Sequence, residues 1–243
     1  MNTIFSFFLD CLFPLRCRIC SAPQNPETNP GGFVCKDCFS SIAMHQWVFC
    51  PVCDKKCIGF EQCQSHKVPM RFLGVAGSYQ NQALKRLLWD YKYKFIEPLA
   101  AWLAGLLVKH YEAAFKSYVE QNKQEWIVTA IPLASSRLRW RGFNQAELLA
   151  KEFSRTTGIP YVPILERTSF KSSQMQLGTH ELRKENVKNA FRVKSDAGVS
   201  GKRVILIDDI ATSGATLLEA ARTLKQNKAK EILGLVVARN DPV

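Results

Sequence analysis

The chain has 243 residues, 33 Lys and Arg against 21 Asp and Glu, and a formal net charge of +12. This length excludes a chain too small to bury a core, and it accommodates one large domain or two smaller ones. The positive charge favours a polyanionic ligand or partner, but it does not separate a nucleic acid from a phosphorylated sugar or from an ordinary basic surface.

Cysteine and charge are distributed unevenly along the chain. All nine cysteines lie between Cys11 and Cys63, and residues 68–243 contain none. Residues 1–67 carry a charge of only +1, whereas the remainder carries 27 basic against 16 acidic residues. We therefore predict two domains, a small cysteine-rich module over residues 1–67 and a basic α/β domain over residues 68–243.

The first segment, Ile4–Leu15, is apolar and aromatic but only about twelve residues long, whereas a membrane-spanning helix needs about 20. It lacks the cationic start and the cleavage site of a secretory signal. It is predicted to be a helix that packs on the protein, with peripheral contact to a membrane as the alternative. The expected location is the cytoplasm, where thiols stay reduced.

Four pairs of candidate metal ligands follow. Within each pair, two residues separate the two ligands, as is typical of zinc knuckles. The predicted ligands are Cys17, Cys20, Cys35, Cys38, Cys50, Cys53, Cys63 and His66. Eight ligands indicate two structural zinc ions, although consecutive and interleaved pairings are both open. Cys57 is an alternative ligand for the second site, and unpaired thiols or disulfides are the alternative to metal.

Signals for strands and helices alternate through the rest of the chain. The predicted strands are Phe72–Tyr79, Trp126–Ile131, Tyr161–Leu165, Val204–Ile207 and Ile232–Ala238. The predicted helices are Leu84–Lys92, Leu99–Phe115, Gln145–Thr156 and Leu217–Lys225. This alternation predicts an α/β fold with a mainly parallel sheet flanked by helices.

The most informative run follows the predicted strand Val204–Ile207. Two carboxylates, Asp208 and Asp209, stand at its carboxyl end, where open α/β sheets bind ligands. A loop of small and hydroxyl-bearing residues comes next and leads into a helix. Its members are Ala211, Thr212, Ser213, Gly214, Ala215 and Thr216. Backbone N–H groups and hydroxyls there favour a phosphate, and the carboxylates favour ribose hydroxyls or the waters of Mg²⁺.

A second candidate loop follows the strand that ends at Ile131. Arg137, Arg139 and Arg141 fall within five residues, and in an extended loop they can converge on a pyrophosphate. Gly142 is expected to turn the chain into the next helix, and Asn144 to cap it. A solvated basic loop is the alternative.

Farther along, Thr168–Phe191 is polar and lacks strand character. It is predicted to be either a mobile cover over a site or a solvated linker.

The Asp208–Thr216 run resembles the phosphoribosyl pyrophosphate (PRPP) loop of type I phosphoribosyltransferases. With the cysteine knuckles, Tyr91-Lys-Tyr-Lys, Arg141-Gly-Phe-Asn-Gln and the residues Gln174, Arg183, Asn186-Val187 and Ala190-Phe191, the chain resembles the ComF/GntX family of competence-associated proteins. The family's fourth knuckle is usually Cys-x2-Cys, so Cys63-x2-His66 is a departure that affects the geometry of the second zinc.

The resemblance implies a double zinc ribbon joined to a type I phosphoribosyltransferase domain, with PRPP and Mg²⁺ as ligands. It implies that Asp208 and Asp209 hold the ribose, that the loop holds the 5′-phosphate, and that residues 72–95 form a variable hood over the acceptor.

The family's role lies in natural transformation, where single-stranded DNA reaches the cytoplasm with the help of other competence proteins. Two functions stay open. In the first, the protein binds PRPP and handles this DNA in the cytoplasm or, alternatively, at the inner face of the membrane. In the second, it is an active transferase in nucleotide salvage or metabolism without a direct DNA role.

Overall fold

A computed structural model describes residues 15–24, 32–168, 188–195 and 198–239. Its strands are β1 (Val48–Phe49), β2 (Leu73–Ser78), β3 (Trp126–Ala130), β4 (Leu165–Arg167), β5 (Phe191–Val193), β6 (Arg203–Ala211) and β7 (Glu231–Arg239). Its α-helices are α1 (Lys36–Ser40), α2 (Gln82–Tyr93), α3 (Leu99–Ala114), α4 (Lys116–Glu120), α5 (Ser135–Arg141), α6 (Gln145–Thr157) and α7 (Ala215–Gln226). Single 3-10 turns lie at Ile58–Phe60 and Lys123–Glu125. The predicted helix Ile4–Leu15 falls outside the described residues except for Leu15.

The main sheet has five strands in the order β1-β2-β7-β6-β3. The contacts between β2, β7, β6 and β3 are all parallel, and only β1 joins antiparallel at the edge. Every residue of β3 and β7 is buried, as expected for parallel strands covered on both faces. The predicted α/β fold with a mainly parallel sheet is therefore confirmed.

The prediction of a strand over Tyr161–Leu165 was wrong. Tyr161 makes a single parallel bridge with Val128, and the strand β4 begins only at Leu165. This strand pairs antiparallel with β5 in a separate two-stranded sheet. The two prolines at positions 160 and 163 lack the N–H groups that a longer ladder would require.

Neighbouring strands of the main sheet end at different heights. Pairing of β3 with β6 stops at Ala130 and Ile207, whereas pairing of β6 with β7 continues to Ala211 and Arg239. The last residues of β6 are therefore not paired with β3, although they are still paired with β7. This offset opens a crevice at the carboxyl edge of the sheet, the place where parallel α/β folds bind ligands.

The cysteine-rich module packs directly on the α/β domain. Its β1 extends the main sheet, and the backbone N–H of His45 donates to the carbonyl of Ala76 at 2.9 Å. Arg18, within the first knuckle, forms a 2.7 Å ion pair with the buried carboxylate of Asp90 on α2. The core is therefore continuous across the predicted boundary between residues 67 and 68.

No helix within the described ranges is both long and apolar enough to span a bilayer.

Candidate functional site

A cavity of about 780 Å³ occupies the crevice beside β6. It is lined by both carboxylates of the Asp208–Asp209 pair, by four cationic side chains and by the loop that precedes α7. The cations are Lys92, Arg137, Arg141 and Arg167. Because four positive charges face two negative ones, this cavity, which we call the main cavity, favours an anionic ligand that also carries hydroxyl groups.

The two carboxylates lie inside β6, three and two residues before its end, rather than after the strand. The backbone N–H of Asp209 donates to Oδ1 of Asp208 at 2.8 Å. Nζ of Lys92 lies 2.8 Å from Oδ1 of Asp209, and both side chains are mostly buried. Lys92 thus holds one carboxylate in place by a charge-assisted contact.

Burial, together with the like charge of Asp209, raises the pKa of Asp208 from 3.8 to about 7. Between those two values the unfolded chain loses a proton that the folded protein keeps, so stability falls as the pH rises through this window. Charge on Asp208 therefore costs folding free energy, as is common for groups kept for binding rather than for stability.

We expect Asp208→Asn to raise the melting temperature relative to the wild type at about pH 8, where the wild-type carboxylate is ionised in the folded protein. The gain should shrink towards pH 4 and vanish below about pH 3, where the carboxyl is protonated in both states. Thermal melts across this range measure the difference. Equal gains at both pH values would contradict the assigned pKa shift.

The predicted phosphate loop connects β6 to α7. Ala211 ends the strand, Gly214 stands just before the helix in the left-handed region at φ 70°, and Ala215 begins α7. The N-cap residue Gly214 makes no side-chain hydrogen bond to the helix, and the N–H of Ala215 makes a long one of 3.4 Å to Oγ of Ser213. The first turn of α7 can therefore donate N–H groups to an anion. Thr212, Ser213, Ala215 and Thr216 line the main cavity.

The predicted extended arginine loop was wrong, because Ser135–Arg141 forms the helix α5. In a helix, residues four apart share a face, so Arg137 and Arg141 both line the main cavity. Arg139 lies on another face and is not among the lining residues. Gly142 ends α5 at φ 81°, in agreement with the predicted turn.

Asn144 precedes α6 as predicted, but its side chain does not cap the helix. Its Nδ2 instead donates to the carbonyl of Ile131 at 3.0 Å, which ties the start of α6 to the end of β3. Beside it, Nη1 of Arg141 donates to Oε1 of Gln145 at 3.0 Å. Nε of Arg141 and Nε2 of Gln145 are buried without a hydrogen-bond partner among the described residues. Two unsatisfied donors at a cavity wall fit a ligand that supplies acceptor oxygens.

Sequence reasoning missed Lys92 and Arg167 as cavity residues. Lys92 was named only within the Tyr91-Lys-Tyr-Lys run, and Arg167 ends a short strand that was not predicted. Burial and the nearby Arg137 lower the pKa of Arg167. Residues 72–95, which were expected to form a hood, comprise an interior strand of the sheet, β2, and the helix α2. Of these elements, only the end of α2 reaches the main cavity.

The predicted cover over residues 168–191 lies mostly outside the described residues, which resume at Lys188.

The eight predicted metal ligands form two clusters, in which the ligand atoms lie within 4.8 Å of one another. The first cluster comprises Cys17, Cys20, Cys35 and Cys38, and the second comprises Cys50, Cys53, Cys63 and His66. The pairing is therefore consecutive. Four sulfurs, or three sulfurs and Nδ1 of His66, fit the tetrahedral set that zinc requires, so both clusters could hold a structural zinc ion. Cys57 is buried and belongs to neither cluster, and burial raises its pKa to about 11.

Three comparisons bear on the identity of the chain. Residues 138–242 match the phosphoribosyl transferase domain family. DNA utilization protein YhgH of Salmonella typhimurium is 28% identical over 224 residues, which cover 84% of this chain and 95% of that protein. Competence protein ComFC of Streptococcus pneumoniae is 28% identical over 209 residues, which cover 84% and 86%. The chain is a homologue of these competence and DNA utilization proteins.

The recognition of a ComF-type protein with a phosphoribosyl transferase domain is therefore confirmed. Among solved structures, a purine phosphoribosyltransferase from Pyrococcus horikoshii matches with a TM-score of 0.32 and 17% identity, covering 57% of this chain and 83% of that one. The domain match begins at Leu138, yet Lys92 from an earlier helix reaches Asp209. The candidate site thus includes residues that precede the matched domain.

Proposed function

We propose that this protein binds PRPP in the main cavity and acts in DNA uptake, where it handles incoming single-stranded DNA. The observation that carries the proposal is the Asp208–Asp209 pair beside a hydroxyl-bearing loop, in a cavity with four cations. The names of the relatives, a competence protein and DNA utilization proteins, support the DNA role.

Each part of PRPP has a matching group in the main cavity. The 5′-phosphate would bind N–H groups in the first turn of α7 and the hydroxyls of Thr212 and Thr216. The ribose hydroxyls would donate to Asp208 and Asp209, whose carboxylates act purely as hydrogen-bond acceptors when ionised. The pyrophosphate would lie against Arg137 and Arg141. The Nε of Arg141, which has no partner among the described residues, is suited to a phosphate oxygen. Bound Mg²⁺ would offset the remaining negative charge of the pyrophosphate.

The cellular setting belongs to the same proposal. We place the protein in the cytoplasm, at or near the inner face of the membrane, where it would meet emerging single strands and other competence proteins. Zinc would occupy both cysteine clusters as a structural ion.

Calorimetric titration with PRPP and Mg²⁺ tests the ligand, and anisotropy with labelled single-stranded DNA tests the partner. We expect saturable PRPP binding, and DNA affinity that falls linearly with salt on a double-logarithmic plot, by about 0.7 per phosphate contacted. A flat salt response would remove the basic surface as the explanation of DNA binding. Absence of PRPP binding at millimolar concentration would contradict the ligand assignment.

A second candidate is an active transferase, and a smaller recess favours it. This recess of about 230 Å³ adjoins the main cavity, shares Lys92 and Thr212 with it, and is walled by Tyr79, Leu88 and Tyr93. An aromatic recess beside the ribose position could accept a nucleobase as the attacking group. Release of pyrophosphate from PRPP, measured against a panel of nucleobases, amines and single-stranded DNA, distinguishes turnover from binding alone.

A further inference from the structure

Four aromatic side chains lie exposed together beside the main cavity, and two of them, Tyr93 and Trp140, line it. Trp89 and Tyr93 are each 48% exposed, Phe95 is 39% exposed and Trp140 is 58% exposed. Their ring centroids follow one another at 5.7 Å from Trp89 to Tyr93, 6.2 Å from Tyr93 to Trp140 and 5.3 Å from Trp140 to Phe95. We call this group the aromatic strip. Such a cluster of large exposed rings marks a binding surface more often than scattered single residues do.

Cations accompany the aromatic strip. Nζ of Lys94 lies 5.2 Å from the ring of Trp89, and the guanidinium of Arg141 lies 5.6 Å and 5.7 Å from the rings of Tyr93 and Trp140. The acidic groups nearby are few. Asp90 is buried and pairs with Arg18 and Lys94, and Glu97 is exposed just beyond Phe95. The strip therefore combines ring faces with positive charge.

The backbone under the strip is held in an unfavourable conformation. Phe95 has φ 55°, a left-handed value that bulky side chains rarely adopt. This conformation brings its ring edge-on to Trp140, at an interplanar angle of 84°. Backbone strain that holds an exposed apolar ring in a cluster suggests a functional demand rather than a folding one.

Building on the proposed function, we propose that the aromatic strip is a stacking platform for single-stranded DNA, which it leads towards the main cavity. Unpaired bases expose π-faces that stack on aromatic side chains, while the phosphates between them need cations close by. The aromatic strip provides both the rings and the cations, and the cations lie within 5.7 Å of the ring centroids. A duplex keeps its base faces covered, so its affinity should not depend on these rings.

The charge and the stacking contributions can be separated by salt. Trp89→Ala/Trp140→Ala removes two ring faces without changing the charge. We expect it to weaken binding to labelled oligothymidylate by about 25-fold or more at every salt concentration, with an unchanged salt slope. Lys94→Met should instead flatten the slope by about 0.7, because it removes one phosphate contact.

The chain offers a matched control in Trp47. This residue is 54% exposed and has a lysine over its ring, with Nζ of Lys56 at 4.9 Å. It belongs to the cysteine-rich module, and among the described residues its ring contacts no ring of the strip. Trp47→Ala should leave oligothymidylate affinity unchanged. Trp140→Phe keeps a ring and should recover most of the loss that Trp140→Ala causes. Zinc content and melting temperature establish that each variant is folded.

Unchanged affinity in the folded double variant, or an equal loss for duplex DNA, would overturn the platform. So would a loss that appears only as a change in oligomeric state, since the strip would then be a contact between copies of the chain. These outcomes leave the proposed function standing, provided that the wild type binds oligothymidylate and PRPP. If the wild type binds neither, the proposed function itself fails.

Discussion

Replacing both Asp208 and Asp209 by asparagine is expected to abolish PRPP binding while leaving the zinc content unchanged. Each ribose hydroxyl would lose a hydrogen bond to a charged acceptor, and such bonds contribute about 1.5–3 kcal/mol each. Two of them correspond to a loss of at least about 100-fold in affinity. Calorimetry with PRPP and Mg²⁺ measures this loss directly.

The same variant should still bind inorganic pyrophosphate, since Arg137 and Arg141 remain and Lys92 is released from its carboxylate partner. This separates loss of the ribose contacts from collapse of the site. Glu112→Gln/Glu120→Gln is the matched control, because it removes two exposed carboxylates that do not line the main cavity. PRPP affinity that survives in the Asp208→Asn/Asp209→Asn variant would contradict the assignment of the acidic pair.

Much of the fold follows from local patterns. Leu99–Phe115 is a long apolar-rich run, and Val204–Ile207 is an unbroken apolar run. The helix and the strand that they predict form at these positions. β1 has only two residues, which is too short for any pattern to register, so its place at the sheet edge could not be predicted. The helix α5 was missed because its seven residues are mostly polar and exposed, with no buried residue to set a helical period.

The candidate site was predictable where its residues are contiguous and unpredictable where they meet through space. The acidic pair and its loop stand in one run at a strand end, so their chemistry is visible in the sequence. Lys92 is about 117 positions from Asp209 by residue number, and only the packing of α2 brings the two together. The choice between Arg137, Arg139 and Arg141 likewise depends on a helix that local composition does not reveal.

The second metal cluster also packs against the candidate site, although its residues are distant from that site in sequence. A Cβ on Gly214 would lie 3.1 Å from the carbonyl oxygen of Pro51, so the knuckle Cys50–Cys53 packs directly against the phosphate loop. Asp54, which follows this knuckle, forms an ion pair with Arg239 at the end of β7. β7 pairs with β6 up to Ala211, where the loop begins. The knuckle thus packs against the phosphate loop and is tied to the end of β7, which lies beside that loop.

We therefore expect Cys50→Ser to reduce the zinc content from two ions to one and to lower PRPP affinity by about tenfold, which corresponds to about 1.4 kcal/mol. Structural zinc contributes about 10–16 kcal/mol of binding free energy in zinc-finger peptides, so a knuckle that loses its ion should lose its shape. The melting temperature should fall as well. Metal analysis, thermal melts and calorimetry with PRPP measure the three effects.

Cys57→Ser is the matched control, because it makes the same chemical change in the same module outside both clusters. It should retain two zinc ions and wild-type PRPP affinity. Cys20→Ser removes a ligand of the first cluster, which contacts α2 through Arg18 and Asp90 rather than the phosphate loop, so it should lower stability more than PRPP affinity. If Cys50→Ser loses its zinc but binds PRPP as the wild type does, the knuckle supports only the fold, and the contact between Pro51 and Gly214 has no part in ligand binding.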